Sequence, residues 1–149
     1  VREHKENLRT DFRYTPKNVE VGIVLDGLLR HQSNEANNAK LFMKDLSAVA
    51  NAAVYVGSDL ELRSSFTYTM RRGYNFTSAN LNESIWNASI RYKFLKEKTA
   101  SIKLECFDLL KQQKSISYVS SASGNSETRV NCINRYVLLT FSYRFNVFN

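Results

Sequence analysis

The stretch from Ser84 to Phe94 admits one secondary structure. Trp86, Ala88, Ile90, Tyr92 and Phe94 are apolar at every second position, while Asn87, Ser89, Arg91 and Lys93 fill the gaps. Side chains of a strand point alternately to its two sides, so the two sets stand on opposite faces of a sheet. One face is greasy and rich in aromatic rings. The other carries full charges, which a dry core does not accept, so it meets water or a charged partner. A soluble sandwich satisfies that pattern, and so does a barrel in a membrane.

The same alternation runs along the chain. Leu8, Thr10, Phe12 and Tyr14 alternate with Asn7, Arg9, Asp11 and Arg13, which predicts a first strand. Thr15-Pro16-Lys17-Asn18 is a tight turn in which proline fixes φ. Val19, Val21, Ile23, Leu25 and Leu29 then alternate with Glu20, Gly22, Asp26 and Arg30. From His31 to Lys40 the chain is polar without a period and is expected to be an exposed loop. Lys44 to Val56 is alanine-rich and fits either a helix or a strand. Strand is preferred, because Leu46, Ala48, Ala50, Ala52, Val54 and Val56 keep the two-residue period.

Gly57-Ser58-Asp59 turns the chain into Leu60, Leu62, Phe66, Tyr68 and Met70, which alternate with Glu61, Arg63, Ser65, Thr67, Thr69 and Arg71. Arg72 to Leu81 is expected to be a second long loop. Lys96 to Thr99 is a short turn before Ile102, Leu104 and Cys106. Phe107 to Gln113 breaks the alternation and predicts a bulge or one helical turn, after which the strand resumes to Val119. Ser120 to Ser126 is expected to be a third polar loop, and Thr128 to Phe145 the longest strand. The expectation is seven antiparallel strands joined alternately by short and long connections, with the short ones at one end. Outer-membrane barrels are arranged in this way, with polar interiors and aromatic girdles.

Composition narrows the function. The 149 residues suit one domain, and no run approaches ~18 apolar residues, which excludes a membrane-spanning helix but not spanning strands. The net charge of +7 is spread through every segment and interleaved with carboxylates, unlike the gathered patch of a nucleic-acid binder, so no nucleic-acid partner is expected. Cys106 falls on an apolar face and Cys132 on the opposite one, so two free thiols are expected if no bulge shifts the phase. His4 and His31 have no spaced Cys, His or carboxylate neighbours, so neither a metal site nor a cofactor is expected. No nucleophile-base or paired-carboxylate set converges by spacing, and an enzyme is not expected.

Several elements of the last 65 or so residues carry a resemblance. They are Tyr92 to Phe94 at a strand end, the lysine-rich turn Lys96 to Lys98, the break from Phe107 to Lys114, and the run from Arg135 to Phe145. Together they resemble the C-terminal strands of the TonB-dependent-receptor-like outer membrane proteins of Bacteroidetes. Cys106 departs from the ordinary apolar residue of that pattern, and Val147, Phe148 and Asn149 extend past Phe145. The resemblance implies an all-β antiparallel transmembrane barrel of twenty-two strands, of which residues 1–149 would be the C-terminal part, with the plug domain absent. Two open edges and a start at Val1 point the same way, to a piece of a longer chain.

The resemblance also implies a nutrient receptor or transporter of the outer membrane. Its partners would be the lipid bilayer, the remaining strands and plug, the outer-membrane assembly machinery and, as a candidate, a surface lipoprotein. Arg63, Arg71, Arg91, Lys93, Lys103 and Arg144 would face the lumen. Arg9, Arg13, Asp11, Asp26, Glu61 and Glu105 share that face. Ion pairs with plug carboxylates come ahead of contact with an anionic solute. Tyr74, Asn75 and Phe76 in the second long loop are the candidate ligand contacts, through stacking area, against packing on the barrel rim. The alternatives are a non-transporting receptor or adhesin barrel and a soluble β-sandwich that binds a ligand.

Overall fold

A computed structural model describes residues 2–35, 38–75, 79–113, 116–121, 124–129 and 133–145. They form an all-β fold of nine strands, in order β1 (Arg2–Tyr14), β2 (Val19–Asn34), β3 (Ala39–Val56), β4 (Leu60–Arg72), β5 (Asn82–Phe94), β6 (Ala100–Phe107), β7 (Ile116–Ser121), β8 (Gly124–Arg129) and β9 (Tyr136–Tyr143). Seven of them make one open antiparallel sheet in the order β1-β2-β3-β4-β5-β6-β9, sequential up to β6, beside which β9 takes the last place. The ambiguous alanine-rich segment is strand over its whole length, paired on both edges by β2 and β4. Tertiary pairing decides there what propensity does not.

The register keeps every predicted face in phase. Phe12, Ile23, Ala50, Phe66 and Trp86 stand in one cross-strand row, and Val54, Leu62, Ile90, Leu104 and Leu139 in another. From Leu8, Leu29, Leu46 and Met70 down to the short turns, this face carries no Asp, Glu, Lys or Arg. Beyond those residues it turns polar, with Glu6, His31, Lys44 and Arg72.

The sheet curls toward its charged face. One hollow of about 570 Å³ on that side is walled by Arg13 of β1, Glu20 of β2, Asn51 of β3, Arg63 of β4, Asn87 of β5 and Phe107 of β6. The apolar residues are therefore the outward ones: Trp86 is 41% exposed and Phe141 64%, whereas Glu61 on the inner side is 6% exposed. Among the described residues nothing covers the apolar face. Of the few buried apolar side chains, Met43, Leu41, Ala79 and Leu81 belong to the 73–81 connection and the end of β3 beside it, and Ala53 and Ala100 lie elsewhere in the sheet.

Three expected connections differ. The polar segment from His31 to Lys40 is largely ladder, since β2 runs to Asn34 and β3 starts at Ala39. Backbone N–H and C=O groups pair whether or not the side chains alternate. The break at Phe107 ends β6 rather than bulging it. Asp108 takes φ +48, and its buried carboxylate accepts the N–H groups of Gln112 at 3.0 Å and Gln113 at 2.9 Å. This turn lies along the edge of β5 that β6 is too short to cover: Leu109 N–H donates to Trp86 O at 2.8 Å and Ser84 N–H to Gln112 Oε1 at 2.9 Å.

A strand resumes after the break, as β7, but outside the seven-stranded sheet. β7 and β8 pair with each other in a separate hairpin that occupies the expected third loop, and the expected long strand from Thr128 is divided between β8 and β9. Cys106 is a free thiol in register with Ala88 and Val137, while Cys132 lies outside the described residues.

Candidate functional site

The two-residue period sets Glu61 and Arg63 on the inner face of β4, and the register brings Arg91 of β5 opposite Glu61. The buried Glu61 carboxylate accepts from Arg63 Nε and lies 3.4 Å from Arg91 Nη1. Arg63 also donates from Nη2 to the Tyr55 hydroxyl at 3.2 Å, and that hydroxyl donates to Glu20 Oε1 at 3.1 Å. Charge-assisted hydrogen bonds thus run from β5 through β4 and β3 to β2, with one carboxylate held between two guanidinium groups. Tyr55 and Glu20 were not singled out in the sequence. Their position on the charged phase of β3 and β2 is the signal that finds them.

The six candidate lumen cations share this face but not one place. Arg63 borders the central hollow. Arg91, Lys93, Lys103 and Arg144 come together in a groove of about 700 Å³ over β5, β6 and β9 at the short-turn end, joined by Lys98. Lys103 pairs with Glu105 two residues on, and Lys98 with Asp59 at 3.1 Å. The Lys98 hydrogen bond holds the Asp59 carboxyl below the usual aspartate range. Arg71 stands at the far end of β4, where its N–H donates to Leu81 O at 2.8 Å.

Tyr74 is turned to the sheet. Its hydroxyl meets both Asp45 carboxylate oxygens at 2.7 Å, and its backbone exchanges hydrogen bonds of 3.0 and 2.9 Å with the Asn80 side chain. Burial, then the Asp45 hydrogen bond, push its phenol up to about 12. The chain can turn here because residue 73 is glycine: φ is +81, and a Cβ would lie 1.9 Å from Phe42 O. Asn75 is exposed, and Phe76 lies outside the described residues. Of the three candidate ligand contacts, Tyr74 thus has its polar atom engaged by Asp45.

Phe107 and Tyr136 add a stacked pair on the inner face, with ring centroids 4.4 Å apart. The two histidines, unrelated in sequence, stand opposite each other across β1 and β2. Among the described residues no three metal-ligating side chains are grouped to hold an ion. No family model, curated protein or solved structure matches the chain. Fold and site together define an open antiparallel sheet of inverted polarity, apolar outside and charged within.

Proposed function

We propose that this chain is the C-terminal barrel portion of a TonB-dependent outer membrane receptor that imports a nutrient ligand. The observation that carries this is the inverted polarity: a continuous outward face without charge, opposite a concave face of paired arginines and carboxylates. A soluble sandwich hides its apolar face under a second layer. The dimensions agree. From Leu60 to Met70 the apolar face runs ~33 Å along β4 at ~3.3 Å per residue, which at a tilt of ~40° is ~25 Å, the height of an outer-membrane apolar band. Tyr92, Phe94, Phe141 and Tyr143 lie toward one end of that band, as an interfacial girdle does, and Tyr68 toward the other, while Phe66 and Trp86 stand near its middle.

Seven up-and-down strands leave β1 and β9 pointing the same way, so antiparallel closure takes an odd number of further strands. In lipid each unpaired edge group costs several kcal/mol, which makes those strands obligatory partners. The inner face then lines a shared polar passage, and its chemistry is binding and passage rather than catalysis.

Trp86 is the one tryptophan of the chain and reports on the outward face. Refolded into vesicles containing brominated phospholipid, the protein should lose most of its tryptophan emission, whereas iodide in the buffer should quench little. A protein that stays monodisperse in plain buffer, with emission unaffected by brominated lipid, overturns the membrane assignment. The import assignment is tested separately, by reading the gene upstream of Val1 for a plug and an energy-coupling segment.

A further inference from the structure

The groove at the short-turn end gathers five cations, Arg91, Lys93, Lys98, Lys103 and Arg144, against two carboxylates, Glu97 and Glu105. Three of the five are spoken for: Arg91 by Glu61, Lys98 by Asp59 and Lys103 by Glu105. Lys93 and Arg144 have no carboxylate within ion-pair distance among the described residues. The register fixes where they stand. Lys93 is opposite Ser101, which is opposite Ser142, and Arg144 N–H donates to Thr99 O at 2.8 Å. Two uncommitted cations therefore flank a floor of hydroxyls, two strand spacings or ~10 Å apart.

We propose that this groove is a docking surface for an extended, carboxylate-rich polypeptide segment lying across β5, β6 and β9. Charge complementarity selects the partner: the groove keeps an excess of positive charge, and the free cations are spaced to take two separate carboxylates while Ser101 and Ser142 hydrogen-bond the backbone between them. One small anion cannot bridge both. The inference concerns the inner face alone and does not depend on what covers the outer one.

The test is binding of a fluorescein-labelled hexaglutamate peptide to the full chain in neutral detergent, with a hexaglutamine peptide as reference. Hexaglutamate should bind, more weakly as salt rises, and the reference should not. Lys93→Gln with Arg144→Gln should weaken binding roughly three- to tenfold, the sum expected of two partly exposed ion pairs. Arg9→Gln with Arg13→Gln removes the same charge from β1 and should change it little. Equal weakening by both pairs means attraction to net charge only and overturns the proposal. So does absent binding, or full displacement by millimolar inorganic phosphate, which would mark a small-anion site.

Discussion

The indole N–H of Trp86 donates to the Ser64 hydroxyl at 2.9 Å across the β4–β5 pair. Both residues stand on the outward apolar face, where Ser64 is otherwise out of place. The hydroxyl satisfies the polar atom of the ring. In water that bond is nearly redundant, but against hydrocarbon a missing partner costs about 1–3 kcal/mol. Ser64→Ala is therefore expected to destabilise the lipid-embedded protein by about that amount. Urea titration followed by Trp86 emission checks it, and no change in midpoint would mean that water reaches the indole.

Ile90 and Ser89 are adjacent in β5 and point to opposite faces. Ile90→Arg places a guanidinium on the apolar face and should cost roughly 2–4 kcal/mol if that face is at mid-bilayer. Ser89→Arg adds the same group to the polar hollow and should be tolerated. Comparing the folded yield of the two variants in vesicles decides the matter, and equal yields would contradict the assigned faces.

Tyr74 gives a pH dependence. Its phenol is raised from the usual 10.0 to about 12 by burial and by the Asp45 carboxylate. A raised acid favours the folded state in its neutral form, so the contribution is complete below pH 10 and is lost as pH climbs toward 12. Tyrosinate absorbance should show a late-titrating step from this ring. Tyr74→Phe should remove that late step and the associated alkaline loss of stability together. A titration unchanged by the substitution would show that this phenol is not held.

Asp108 caps the turn that stands in for a longer β6. Asp108→Ala strips the Gln112 and Gln113 N–H groups of their acceptor and puts a Cβ-bearing residue without a compensating polar side chain at φ +48. The combined cost is expected to be about 2–4 kcal/mol. Asp108→Asn, which keeps one acceptor oxygen and tolerates that backbone, should lose less. Equal unfolding midpoints for the two variants would show that the carboxylate is not what holds the turn.

The alternation in the sequence determined the strand character, the membership of both faces and the antiparallel order from β1 to β6, because a two-residue period leaves a side chain only two directions. It held even at Ala48, Ala50 and Ala52, where helix propensity pointed elsewhere. Strand ends at the short turns, such as Tyr14, Val19, Val56, Leu60 and Phe94, were legible from the turn residues, whereas the far ends of β2 and β6 were not. Pairing of backbone groups carried β2 through Gln32 and Ser33, and the Asp108 turn stopped β6, neither of which leaves a hydrophobic signature. Partnerships on the inner face were likewise decided by the tertiary structure. Glu61 meets Arg91 because register sets residues thirty positions apart side by side, and Tyr74 meets Asp45 because the connection after β4 folds back on β3; both are properties of the assembled sheet.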